Sequence, residues 1–338
     1  MFSQLARRGI LLLPAIMMAG CNTIVMNPSG DIAAQQSKLI VISTLLMLLI
    51  IVPVIALTFF FAWRYRQSNT EAQYEPDWDH STKLELVIWG APLLIIIALG
   101  MLTWITTHTL DPYRKLSRLD ETRAIPANVK PITVEVVALD WKWLFIYPEQ
   151  GIATVNELAV PVDVPIHFKI TASTVMNSFY IPALAGQIYA MPGMQTELNA
   201  VINKAGDYEG FSANYSGAGF SDMRFKFRGL SNDDFAQWVQ AAKNTQPALK
   251  RAEYLELEKP SIKDPVRRYA TVEADLYHAI LNRCVVDGQV CIDKLMSTDL
   301  NVKSAANGKF SNLLAQNQQA GRGPLAEICT TPTTTTGK

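Results

Sequence analysis

Two stretches without a single charged residue constrain this chain more than anything else in it. Leu39 to Trp63 reads LIVISTLLMLLIIVPVIALTFFFAW, and Leu86 to Ile105 reads LVIWGAPLLIIIALGMLTWI. At about 1.5 Å per residue, either is long enough as a helix to cross a hydrocarbon core of about 30 Å. The spacing predicts two transmembrane helices joined by a short polar loop. Pro53 lies inside the first and predicts a kink, which a membrane helix tolerates when neighbouring groups satisfy the freed carbonyl. Trp63, Trp89 and Trp104 stand near the predicted ends, where indole rings prefer the interface. With 49% hydrophobic and 18% charged residues, the chain of 338 is too apolar to be wholly soluble, and its zero formal net charge gives no footprint for nucleic acid.

The beginning, MFSQLARRGILLLPAIMMAG, has a basic start at Arg7 and Arg8, an apolar run from Ile10 to Met18 and small residues before Cys21. That is the layout of a secretory signal, and the apolar run is too short to span a bilayer. Met18-Ala19-Gly20-Cys21 resembles the bacterial lipobox, which predicts a signal peptide over 1–20 and a lipidated Cys21 at the mature end. The lipid orients the rest. Cys21 lies outside with the segment 21–38, helix one (39–63) runs inward, the loop 64–83 is cytoplasmic and helix two (84–106) runs outward. Arg64, Arg66 and Lys83 then lie inside, while Arg114, Lys115, Arg118 and Arg123 lie outside, where a long exported domain overrides its own flanking charge.

Beyond a linker over 107–130 the pattern changes. PITVEVVALDWKWLFIYP, VPIHFKITAS, MQTELNAVIN, GDYEGFSANY and DMRFKFRGL are short runs rich in β-branched and aromatic residues, partly alternating and bounded by Gly, Pro and Asn. They predict a β-sandwich over 131–230. Ser231 ahead of Asn232-Asp233-Asp234 predicts an N-cap with acids in the first turn of a helix. A Pro-punctuated basic stretch follows, then a predicted helix from Thr271 to Arg283, within a helical region over 231–300. A low-complexity tail over 301–338 ends in TTPTTTTGK. The fold class expected is membrane-anchored α+β: a two-helix hairpin, an exported sandwich and a C-terminal helical tail.

This order of parts resembles subunit II of the haem-copper terminal oxidases, over residues 1 to about 280. TKLELVIWGAPLLIII resembles the family's second helix, ALDWKWLFIYPEQGIATVNEL the aromatic segment that opens the exported domain, and STVMNSFYIPALAGQIYAMPGMQTEL the segment that carries a His ligand in cytochrome c oxidases. The lipobox and DWKWLFIYPEQGIATVNE are most similar to the quinol-oxidising branch, of the cytochrome bo type. The resemblance implies a cupredoxin-like sandwich, a bacterial inner-membrane location, subunits I, III and IV as partners, and haems and copper in subunit I. It also implies membrane lipid around the spans, ubiquinol as reductant through the complex, and no cytochrome c partner. A free-standing membrane lipoprotein with a sandwich binding domain is the alternative reading.

Within that frame SANYSGAGFSDM becomes legible. Cytochrome c oxidases carry a dinuclear copper centre here with the spacing C-x3-C-x3-H-x2-M. Setting Met223 on the family's Met puts Ser212 and Ser216 at the Cys positions, Phe220 at the His position and Asn214 at the carbonyl donor; the earlier His falls on Asn177. Copper selects thiolate and imidazole, so hydroxyl, amide and phenyl groups leave only Met223 and predict that this chain binds no cofactor. His80, His108, His167 and His278 have no metal-ligand spacing with a partner. Met176, Met191 and Met194, with Met223, are expected as packing. Phe220 is expected in the volume the metal vacated, and Trp141 and Trp143 in the packing of the sandwich.

Glu85 lies at the start of helix two. Thr82-Lys83-Leu84-Glu85 fits a capping box, and the resemblance implies a carboxylate at the mouth of a proton channel into subunit I. In an oxidising compartment one pair among Cys284, Cys291 and Cys329 is expected to be bridged. CVVDGQVC, from Cys284 to Cys291, is the first choice, although spacing leaves the connectivity open.

Overall fold

The computed structural model describes residues 23–73 and 75–297. Cys21 and Cys329 lie outside these residues, as do the expected signal peptide over 1–20 and the expected tail over 301–338. Residues up to Leu281 form one compact unit, and those from Asn282 onward belong to a second.

Helix α1 runs from Asp31 to Arg64 with Pro53 inside, and α2 from Thr82 to Thr109 with Pro92 inside. Both are longer than the charge-free runs. Leu45, Leu49, Phe59, Leu86, Trp89 and Leu94 are exposed, so the apolar surface of the helix pair faces outward, and both helices are long and apolar enough to cross a membrane. The extra turns of α1 have a tertiary cause. Ser29 and Gly30 donate their N–H groups to Ala183 O, both at 3.0 Å, and Asn203 N–H reaches Ser29 O at 2.8 Å. The helix therefore starts against the sandwich, with Ile32 and Ala33 buried there. Asp31 is buried as well and meets Arg118 Nε at 3.1 Å and Gln35 Nε2 at 2.7 Å.

The sandwich has two sheets. In chain order the strands of the first are β1 (Ile132–Leu139), β2 (Lys142–Tyr147), β3 (Ile152–Val155), β5 (Ile166–Ala172), β8 (Thr196–Ala200) and β12 (Arg267–Tyr269). The second is built from β4 (Glu157–Pro161), β6 (Asn177–Tyr180), β7 (Ile188–Ala190), β9 (Gly206–Ser212) and β10 (Arg224–Leu230). Their spatial orders are β12-β3-β2-β1-β5-β8 and β4-β10-β9-β6-β7. Aromatic rings fill the space between the sheets. Phe179 stacks on Phe225 at 5.5 Å, and Trp143 meets both edge-on at 5.4 and 5.8 Å. Trp143 is fully buried, as sandwich packing requires.

Strand β2 is buried along its whole length, without alternation, because its outer face is also covered. The cover comes from the chain after residue 230. Ser231 caps α3 (Asn232–Lys243) by accepting the Asp234 N–H, and Trp238 of α3 enters the core. Helix α4 (Arg251–Glu258) buries Tyr254 and Leu257, and Lys142 donates to Lys259 O at 2.8 Å and to Ser261 Oγ at 2.6 Å. Burial holds the Lys142 ammonium below the usual lysine range, opposed by the neighbouring Asp264 carboxylate. Strand β12 then pairs antiparallel with β3 and extends the first sheet.

This region departs from the sequence reading. The predicted helix from Thr271 to Arg283 is helical only over α5 (Leu276–Leu281). Its first residues, Thr271–Val272, form strand β13, which pairs in parallel with β11 (Ala248–Leu249). Asp275 has φ +61°, a left-handed residue that separates that strand from α5. In the second unit Cys284 and Cys291 are joined by a disulfide.

Candidate functional site

Strand pairing brings part of the copper-like loop together. Register sets Phe179 of β6 opposite Ser212 of β9, which places Asn177 beside the start of the loop. Ser212 Oγ lies 3.1 Å from Asn177 Oδ1 and 3.2 Å from Asn214 O, two acceptors for one hydroxyl proton. The Ser178 N–H donates to the same Oγ at 3.4 Å, and Ser212 N–H donates to Met223 O at 3.1 Å. Asn177, Ser212 and Met223 are all buried. The Ser212 and Asn177 side chains thus close on one another, and Met223 joins them through its backbone carbonyl.

The other two positions turn elsewhere. Ser216 gives its carbonyl to Trp141 Nε1 at 3.1 Å, and its buried hydroxyl has no hydrogen-bond partner among the described residues. Phe220 opens a short 3-10 turn over Phe220–Asp222 and packs edge-on against Tyr215 at 5.6 Å. Tyr215 is 75% exposed and Phe220 half-buried. Phe220 is thus partly exposed, with its ring against an exposed tyrosine. Met223 is core, but Met176 and Met194 are exposed, so packing is not their role in this chain alone.

Trp141 packs against the edge of the core and also lies over the loop. It stands at φ +67° in the turn between β1 and β2, which aims its ring across the sandwich end. A Cβ at Gly219 would lie 2.5 Å from that ring, and Gly217 has φ +116°, so both glycines are required by the close approach. The signal readable in the sequence was the pair of small residues in SGAG facing an aromatic turn.

The donor set does not fit a dinuclear copper centre. One thioether with amide, hydroxyl and phenyl groups offers neither a thiolate to bridge two ions nor an imidazole to complete them. Among the described residues no three His, Cys, Asp or Glu side chains are grouped to hold a metal ion.

At the loop end of α2 the capping box does not form. The N-cap is Ser81, which makes no side-chain cap bond, and Thr82 is already helical. Glu85 Oε1 instead meets His80 Nδ1 at 2.7 Å, while His80 Nε2 lies 3.2 Å from Thr82 Oγ1. Both Glu85 and His80 are about half exposed. The sequence reading missed His80 because it lies before the helix, outside any helical spacing.

A cavity of about 410 Å³, lined by Glu135 and Lys169 among mostly apolar surface, lies between the outer face of the first sheet and α5. Burial holds Glu135 above the ordinary carboxylate range, opposed by Lys169, its cross-strand neighbour in the β1–β5 register.

Residues 148–228 match the family model described as "Cytochrome C oxidase subunit II, periplasmic domain", and residues 243–288 match the "COX Aromatic Rich Motif". The chain is 50% identical over 276 residues to the cytochrome bo(3) ubiquinol oxidase subunit 2 of Pseudomonas putida, covering 81% of this chain and 85% of that protein. It is 47% identical over 311 residues to the ubiquinol oxidase subunit 2 of Acetobacter aceti, covering 90% and 98%. The crystal structure of the periplasmic domain of subunit II of cytochrome oxidase from Bradyrhizobium japonicum aligns with a TM-score of 0.33 at 26% identity, covering 35% of this chain and 96% of that one.

Proposed function

The chain belongs to the subunit 2 family of the ubiquinol oxidases, and from that premise we propose that it is the copper-free, non-redox subunit II of a proton-translocating respiratory complex. The complex oxidises ubiquinol and reduces oxygen to water. Family membership makes the chain part of an oxidoreductase; haems and copper are assigned to subunit I, with subunits III and IV completing the complex.

One observation carries the copper-free reading: the Ser212 hydroxyl and the Asn177 side chain hydrogen-bond across the positions that would need thiolate and imidazole. A site closed by neutral groups has no means of accepting single electrons from a soluble cytochrome c. Ubiquinol dissolved in the bilayer reaches the catalytic subunit laterally and needs no such relay. What remains for this chain is support, by the helix pair in the membrane and the sandwich outside it.

Glu85 is assigned a proton-entry role at the cytoplasmic end of α2, with His80 holding its carboxylate and with solvent access through its exposed half. The inner-membrane protein is read as a multi-pass lipoprotein: Cys21 lipidated outside, two spans, and the domain from residue 131 in the periplasm. Deleting this chain tests the supporting role. Quinol oxidation should be lost with the stability of the complex, and subunit I alone, stably folded and oxidising quinol at full rate, would overturn it.

A further inference from the structure

We infer that the outer ends of α1 and α2 form a binding site for one anionic phospholipid, its phosphate on Arg114 and Lys115 and an acyl chain in the groove between the two helices. The inference rests on reading α1 and α2 as membrane spans.

The first observation is a cavity of about 170 Å³ where α1 begins and α2 ends, with Gln35, Thr109, Arg114, Lys115, Ser117 and Arg118 among its lining residues. Its charges are not equivalent. Arg118 is engaged by the buried Asp31 at 3.1 Å, so that pair is neutral and holds the wall in place. Asp111 accepts the Tyr113 N–H at 2.9 Å and offsets part of the remaining positive charge. Arg114 and Lys115 have no ion-pair partner among the described residues, which leaves the cavity with an excess of one positive charge. A guanidinium fork and an ammonium side by side are the groups that take a phosphodiester.

The second observation is what lies below. An open groove of about 620 Å³ runs between the helices along Leu39, Ser43, Thr103, Thr106 and Leu110, and Asp111 borders both it and the cavity. Gln35, Leu39 and Ser43 are spaced by four, so one stripe of α1 leads from the polar cavity into the groove. The polar end sits just past the last residue of α2, at headgroup depth, and the groove descends from it toward the hydrocarbon. An amphiphile with an anionic head matches both parts. The neutral diacylglyceryl group expected on Cys21 would leave the two cations unanswered.

The test uses the whole complex, purified in mild detergent, stripped of lipid and incubated with phosphatidylglycerol or phosphatidylcholine before native mass spectrometry. Phosphatidylglycerol should bind stoichiometrically and phosphatidylcholine should not. Arg114→Gln with Lys115→Gln should weaken phosphatidylglycerol binding by roughly tenfold or more, the loss expected for two charge-assisted hydrogen bonds, and Arg114→Lys should weaken it far less. Ser43→Trp, which fills the groove and leaves the cations, should also weaken it. A photoreactive residue at Leu116 in the otherwise native complex should capture lipid. Equal binding of both lipids, undiminished binding by the double variant, or capture of another subunit at Leu116 overturns the site. Haem content and quinol oxidation are read in parallel; their loss from the native complex would count against the oxidase reading and leave the lipid result to stand or fall alone.

Discussion

Restoring copper ligands to the loop is the sharpest perturbation available, because it turns the closed site back into an open question of chemistry. The variant carries Asn177→His, Ser212→Cys, Ser216→Cys and Phe220→His, with Met223 retained, in a soluble fragment covering 131–281. A fragment ending at Leu230 would lack Trp238 from the core and β12 from the sheet edge. Without copper, the variant loses the hydrogen bonds centred on Ser212 Oγ, at about 1 kcal/mol each. Phe220 adds about 1–2 kcal/mol, because it is half-buried against an exposed tyrosine; a fully buried ring would cost roughly 3–5. Ser216 adds little, since its hydroxyl has no partner to lose.

The total, roughly 3–4 kcal/mol, should lower the melting temperature of the copper-free variant by about 6–16 °C for a domain of this size. Copper should then reverse the loss by binding only the folded form. Thermal unfolding with and without copper, metal analysis and visible spectra measure each part, and two coppers per chain with a purple colour is the expected end point. Stoichiometric copper on the native fragment would refute the copper-free reading. A copper-free variant as stable as the native fragment would refute the stabilising role given to the Ser212 hydrogen bonds. A folded variant that stays colourless would show that Ser216 and Phe220 have swung too far toward Trp141 and Tyr215 for the alignment to hold.

Glu85→Gln should slow turnover at unchanged haem content, with Glu85→Asp milder; equal rates where proton uptake limits would leave Glu85 only its local contacts. Cys21→Ser should give a larger, unlipidated chain with oxidase activity retained, read by mass spectrometry of the mature N-terminus. Arg268→Ala should destabilise the 131–281 fragment by about 2–3 kcal/mol in urea unfolding, because it strips the buried Glu157 carboxylate of its nearest cation and leaves Arg228 at 3.8 Å; Glu157→Gln in the same chain should recover part of the loss. Burial raises Glu135 above its unfolded value of 4.5, so the stability it contributes is complete below that pH and is lost as pH rises through the folded value. Glu135→Gln should therefore gain on the native fragment as pH is raised from 4 toward neutrality, and a pH-independent difference in unfolding midpoint would contradict that assignment.

The parts of the fold that could be read in advance were those in which one physical signal dominated. Charge-free runs marked both long helices, yet their ends extended into polar sequence, and α1 begins at Asp31 because the sandwich receives Ser29 and Gly30. Alternation marked β1, β5, β8 and β10, whereas β3 and β4 are short and buried throughout, so they carry no period-two pattern. Helix α4, RAEYLELE, is half charged and buries only Tyr254 and Leu257, too little for a periodic signal. The site divided in the same way. Strand register sets Asn177 beside Ser212, and the Ser212 N–H on Met223 O, but Ser216 is held by Trp141 from a distant turn, a contact that no local pattern announces.

Strand β12 sets an order of events on this chain. It covers the edge of β3, and without it β3 would offer an unpaired row of backbone groups to any other strand nearby. A chain exported with its N-terminal end first brings out β1 to β10 before residues 267–269 arrive, and through that interval the first sheet has an open side. The first sheet is completed only when β12 crosses to β3. The segment from α3 to β12 thus acts as a delayed latch, and a chain cut short before Arg267 would leave a sandwich prone to pair with its neighbours instead of with itself.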